Sequence, residues 1–300
     1  MALSKVVIIR GIGVFSRDGD IDQKKLSRMY SRGIQILLDQ PRSEEALHIL
    51  FQSNDRVGIK INTIGGKMIS TRPEVSLHLA KMLNTAGVKD RNIIIWDRTN
   101  RELREAGYRL NLNQNGYKIL GTDSRGLGYD PPHGLLSHLN IGSLFSRIQS
   151  ERITSSISLA ILKDHGMAGV TAGMKNYFGA IHNPNKYHDN NCNPYVAELF
   201  DTNPIKRKHK LSILDCLMVQ YHRGPAFHTR WAKKYEGLIL SLDPVAADFV
   251  GWQLIEKLRS EKGLPSLKEE NREPVYLDTA EKMGLGKASL KEINTIEEEL

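Results

Sequence analysis

Arg56-Val57-Gly58-Ile59-Lys60-Ile61-Asn62 and, one helix later, Asn92-Ile93-Ile94-Ile95-Trp96-Asp97 are the stretches that decide the fold. Each is a β-rich apolar run that ends in a polar side chain. Between them Thr71-Arg72-Pro73-Glu74 opens a helix running to about Ala86. Thr71 fits the N-cap, Glu74 three residues on completes a capping box, and Pro73 falls in the tolerant first turn. Gly87 ends the helix as a C-terminal cap would. Strand, helix and strand make a βαβ unit whose strands both finish in polar residues. In open α/β sheets that carboxyl edge is where ligands sit.

The same alternation continues outward. A first strand is expected over residues 5–10, helices over 21–40 and 43–51 (the second from a Ser43 N-cap), and a short helix over 101–106. Residues 108–150 are turn-rich. Strands follow over 153–162, 211–219 and 237–242, then a long helix over 243–257 that Asp243-Pro244 would start. The pattern predicts an α/β fold with a mainly parallel sheet flanked by helices. Two lobes around a cleft are one arrangement: an N-terminal α/β lobe over 1–150, and a C-terminal lobe over 151–300 carrying the Gly-rich His/Lys loop. A single domain is the other.

Composition narrows the function classes. The 300 residues are 40% hydrophobic and 25% charged, which is ordinary for a folded chain and excludes wholesale disorder. No run approaches the ~18 apolar residues of a membrane-spanning helix. The first strand starts almost at once, so the sequence as written reads as cytoplasmic, or as exported if a signal peptide has been removed. The two cysteines, Cys192 and Cys216, exclude a disulfide scaffold, a four-cysteine zinc site and an iron–sulfur cluster held by this chain's cysteines alone. They read as structural thiols, with one disulfide left open. The net charge of +8 is densest at Lys206-Arg207-Lys208-His209-Lys210, expected to be a solvated loop. With no zinc-finger spacing and no aromatic-basic strand signature, nucleic acid is not the expected partner.

Chemistry concentrates in Lys163-Asp164-His165-Gly166-Met167-Ala168-Gly169-Val170-Thr171-Ala172-Gly173-Met174-Lys175-Asn176, continuing to His182 and His188. A buried strand delivers Lys163, Asp164 and His165 at its end. A glycine-rich loop with Gly169, Thr171 and Gly173 follows, then an expected helix bearing Lys175 and Asn176. Small residues let backbone amides approach a ligand, and a helix N-terminus favours an anion. Lys175 supplies a point charge or an amine nucleophile, and the histidines acid–base groups or metal ligands. The spacing is neither a phosphate-binding loop with Lys-Ser/Thr nor a dinucleotide fingerprint. Gly-rich turns also occur for structural reasons alone. For Asn62, Asp97 and Arg72, strand-end or cap duty competes with function. Asp248 reads equally as a helix-surface acid, and Gly224-Pro225 as a turn.

Taken in order, Val57-Gly58-Ile59-Lys60-Ile61-Asn62, the strand into Asp97, Lys163-x-His165, Val170-Thr171-Ala172-Gly173-Met174-Lys175-Asn176-x-x-Gly179, Gly224-Pro225 and Asp243-Pro244-Val245-Ala246-x-Asp248 resemble the domain of unknown function 362 family. The resemblance spans about residues 56–256 and implies no assigned activity. Many relatives carry ferredoxin-type cysteine motifs, which this chain lacks. A weaker resemblance is to the nickel-pincer lactate racemase family, through Thr71-Arg72-Pro73 and through His165 standing ten residues before Lys175. It implies that Lys175 tethers a nickel-pincer-type or other metal cofactor, His188 binds the metal, and His165 is an acid–base group. Asn100 stands where that family has a second catalytic histidine. An amide cannot exchange protons near neutral pH, so two-histidine racemisation is not implied.

The expected function is therefore binding of a small anionic ligand or (metallo)cofactor in a cleft. His165 and Lys175 would be catalytic, Lys60, Asn62, Arg72, Asp97, Gly169, Thr171, Gly173 and Asn176 would hold the ligand, and His188 would serve a metal. The alternative is a non-catalytic accessory or metal/cofactor-delivery protein with a protein partner in a larger redox system.

Overall fold

The computed structural model describes residues 3–113 and 115–300. The strands among these residues are β1 (Ser4–Arg10), β2 (Val57–Ile61), β3 (Ile93–Asp97), β4 (Lys118–Gly121), β5 (Leu136–His138), β6 (Ile141–Ser143), β7 (Ser155–His165), β8 (Gly169–Thr171), β9 (His209–Gln220), β10 (Ala232–Ser241) and β11 (Ile293–Glu299). The helices are α1 (Gln23–Leu38), α2 (Ser43–Leu50), α3 (Pro73–Thr85), α4 (Asn100–Glu105), α5 (Tyr195–Asp201), α6 (Asn203–Lys206), α7 (Pro244–Ser260) and α8 (Tyr276–Lys282). No helix among the described residues is long and apolar enough to cross a membrane.

Nine strands form one mixed, mostly parallel sheet in the order β11-β1-β10-β9-β7-β2-β3-β4, with β8 folded back on β7; β5 and β6 form a separate hairpin. The block β9-β7-β2-β3-β4 is parallel throughout. Strand β1 lies antiparallel to β10 and parallel to β11. The division expected near residue 150 does not divide the sheet, because β2 pairs with β7 and β1 with both late strands.

Side-chain alternation assigns the two faces. Val7, Ile9, Val57, Ile59, Ile61, Ile93 and Ile95 pack with α1, α2 and α3. Val6, Ile8, Ile94 and Trp96 join the other layer, with α5, α7 and α8. Both faces are covered, so β7, buried along its whole length, carries an apolar run rather than an alternation. On β2 the second face holds only Gly58 and Lys60. Lys60 is thus a charged side chain pointing from that face toward the 175–180 segment.

Several local expectations change. Pro73 starts α3, so the cap position is Arg72, with no side-chain cap bond. The Thr71 hydroxyl instead donates to the Leu159 carbonyl at 3.1 Å and accepts the Asn62 amide at 3.3 Å, tying the end of β2 to β7. Ser43 is likewise inside α2, behind an Arg42 cap. Asp243 does cap α7, accepting the Val245 and Ala246 amides at 2.9 Å. The basic loop is less free than its composition suggests. Lys206 pairs with Asp201 at 2.7 Å, and Lys208 donates to the Gln149 and Ser150 carbonyls. The acidic end of the chain is a strand, β11, with Glu298 and Glu299 paired to Arg32 and Arg10.

Candidate functional site

The carboxyl ends of β2, β3 and β7 open onto a cavity of about 120 Å³. Lys60 and Asn62 reach it from β2, Asp97 from β3, His165 from β7 and Thr171 from β8. Lys175, Asn176, Phe178 and Gly179 come from the segment after β8, and His188 from the turn beyond it. That segment is a single 3-10 stretch, Lys175–Ala180, rather than the expected α-helix. It is too short to focus a helix dipole, so any anion here would be held by side chains.

The floor is a closed polar network. The Lys60 ammonium donates to Asp97 Oδ1 at 2.6 Å, Asn176 Oδ1 at 3.0 Å and the Ile61 carbonyl at 2.7 Å. Asp97 Oδ2 accepts both the amide and the hydroxyl of Thr63 (2.7 and 2.6 Å). Asn176 Nδ2 returns to the Lys60 carbonyl and Ser158 Oγ. Burial lowers the Lys60 pKa and Asp97 opposes it. A Cβ on Gly179 would lie 2.8 Å from the Lys60 ammonium, so glycine is what admits this pair against the turn. Lys60, Asp97 and Asn176 spend their polarity on one another.

The upper part is different. Lys175 Nζ donates to His188 Nε2 at 3.1 Å and lies 4.2 Å from the Phe178 ring centroid, and among the described residues it has no carboxylate partner. Burial pushes its pKa down to about 8. His188 donates Nδ1–H to the Pro184 carbonyl at 3.0 Å, which leaves Nε2 as an acceptor. Burial, then Lys175, lowers its pKa. His165 stacks on His188 with ring centroids 5.6 Å apart. Its Nδ1 accepts the amides of Met167 and Ala168 at 3.2 and 3.1 Å, so the neutral ring carries its proton on Nε2. Burial first, then Lys175 and His188, push its pKa to about 2. His165 is thereby a fixed donor.

Three expected ligand-holding residues lie elsewhere. Arg72 stacks over Phe15 at 5.0 Å and donates to the Gly19 carbonyl. Gly169 has φ +74°, and a Cβ there would meet the Arg272 carbonyl at 2.3 Å, so it is a packing glycine. Gly173 donates its amide to Asp248. Asn100 is pinned outside the cavity, accepting the Gly121 amide and donating to Ser124. The side chains present do not by themselves form a metal site. No group of three His, Cys, Asp or Glu side chains among the described residues could hold an ion, and both His188 nitrogens are engaged. Cys192 and Cys216 are free, buried thiols.

Asp248 is the residue that sequence reasoning weighed too lightly. It is fully buried, and its two oxygens accept the Gly173 and Met174 amides at 2.7 and 2.9 Å, bracing the turn that presents Lys175. Its signal was an acid embedded in Val245-Ala246-Ala247-Asp248-Phe249-Val250-Gly251, which has no polar face to place it on.

None of the curated proteins matches this sequence. A protein of known structure from Thermotoga maritima superimposes with a TM-score of 0.45 at 11% identity, over 81% of this chain and 60% of that one. The lactate racemase apoprotein from Thermoanaerobacterium thermosaccharolyticum gives 0.44 at 13% identity, over 84% and 57%. The chain thus spans less than two thirds of either protein. The family model described as domain of unknown function (DUF362) matches residues 57–253, from β2 into α7. This stretch supplies every side chain of the cavity and the Asp248 brace, and the chain belongs to the DUF362 family.

Proposed function

We propose that the cavity binds a small carboxylate or similar anion, held by the Lys175 ammonium and the Nε2–H of His165. The observation that carries this reading is the Lys175 ammonium, buried in the cavity wall without a counter-charge among the described residues. An unpaired buried charge is costly, and an anion arriving beside it removes that cost. The neighbouring cations do not compete, because Lys60 is neutralised by Asp97 and Arg98 by Glu102. His165 contributes a neutral donor whose tautomer the Met167 and Ala168 amides fix. Thr171 adds a hydroxyl to the same wall.

The test is thermal unfolding of wild type and Lys175→Met in rising acetate, with chloride held constant. A ligand that binds only the folded state raises Tm in a saturable way. The expected result is a saturable rise in wild type that disappears in Lys175→Met. Equal shifts in both proteins, or none in either, overturn the reading.

A further inference from the structure

The same groups support a covalent chemistry. We propose that Lys175 is an imine-forming lysine that condenses reversibly with a small aldehyde or 2-oxo acid entering the cavity. This rests on the anion-binding reading, which supplies the site for the acid's carboxylate.

The geometry carries the argument. Among the described residues Lys175 Nζ has one polar partner, His188 Nε2 at 3.1 Å, and that atom is a lone-pair acceptor because Nδ1–H is held by the Pro184 carbonyl. An ammonium facing a neutral acceptor, with no carboxylate to hold its proton, can release the amine. The groups around it are His165 from β7, His188 from the following turn and Cys192 beyond it. None of the three is a carboxylate, and it is burial that disfavours the ammonium, with only Cys192 opposing it. The depression to about 8 agrees with this placement.

Lys163 provides the contrast. It is also buried, with its pKa pushed to about 7 by burial, yet its ammonium donates to the Ile64 and Ile69 carbonyls and does not line the cavity. Burial makes both lysines weak bases. Only Lys175 has room beside its nitrogen for a reactant.

The step balances without an oxidant. Lys175 yields one proton through His188, and the nitrogen lone pair forms a bond to the carbonyl carbon. The carbonyl oxygen takes that proton, giving a carbinolamine. Expulsion of this hydroxyl with a second proton from nitrogen, as water, leaves a protonated imine. Ammonium plus carbonyl gives iminium plus water. The Nε2–H of His165 is placed to hold the carboxylate of the same molecule, and Lys175→Arg would keep the charge while removing the nucleophile.

The experiment incubates the full chain with glyoxylate and sodium cyanoborohydride at neutral pH, then locates adducts by peptide mass spectrometry. The expected result is one reduced adduct on Lys175, absent in Lys175→Arg and slowed in His188→Phe. Thermal unfolding in acetate, run on the same three proteins, separates the two readings and reports whether each is folded. Adducts spread over surface lysines, or centred on Lys163, overturn the imine. Acetate stabilisation without any adduct overturns the imine and leaves the anion site standing. Neither stabilisation nor an adduct overturns both.

Discussion

Asp248 on α7 accepts the Gly173 amide at 2.7 Å across 75 residues of chain, with its second oxygen on Met174. The carboxylate therefore fixes the backbone immediately before Lys175 from the far side of the core. Burial pushes its own pKa up to about 7, against the pull of the two amides.

An acid with a raised folded pKa binds its proton more tightly in the native state. Its stabilising share is complete below pH 3.8 and is lost as pH rises to about 7. Asp248→Asn removes this dependence and turns an amide NH2 toward one backbone N–H, costing about 1–3 kcal/mol. Urea unfolding at pH 5 and pH 7.5 should show the wild-type stability falling more steeply than the variant's. Parallel slopes would contradict the assignment.

Lys175 runs the opposite way. With its folded pKa lowered from 10.5 to about 8, the native state binds fewer protons between those values, so stability rises with pH across that window. Lys175→Met should be more stable than wild type at pH 7 by up to about 3 kcal/mol, with the gap closing toward pH 10. Chemical denaturation at both pH values measures it.

The Lys60–Asp97 pair is buried on both sides and separated by 2.6 Å. Lys60→Met strands a carboxylate and should cost about 3–5 kcal/mol. Adding Asp97→Asn removes that charge while keeping an acceptor for Thr63, so the double variant should regain part of the loss. A double variant less stable than Lys60→Met would show that the pair is not the dominant interaction.

His165 should stay neutral, with its proton on Nε2, until the protein unfolds in acid. Long-range proton–nitrogen NMR spectra should show no His165 titration between pH 5 and pH 8. A midpoint in that range would overturn its assignment as a fixed neutral donor.

The βαβ core was legible because apolar runs, Pro73 and Gly87 punctuate it strongly, and the Lys163–Asn176 segment because its polar residues crowd one strand end. The failures have physical causes. Arg72 follows a strand in sequence, but the Thr71 hydroxyl and Pro73 turn it to the opposite face, where it meets Phe15. The 3-10 stretch at Lys175 replaced a helix because an apolar pattern there records burial on all sides rather than a period. Strand β11 was hidden by its charge: an edge strand keeps only one face on the protein, so Ile293-Asn294-Thr295-Ile296-Glu297-Glu298-Glu299 lacks a core-strand pattern.

The position of β1 also has a consequence for biosynthesis. Its partners are Gly237–Ser241 on one side and Ile293–Glu299 on the other, so β1 waits for strands made long after it. While a ribosome is still building the chain, β2, β3, β4 and β7 can pair, but Val6-Val7-Ile8-Ile9 has no neighbour in the sheet. The nascent protein must carry that sticky segment exposed, or shielded by α1, until β10 has emerged to pair with it.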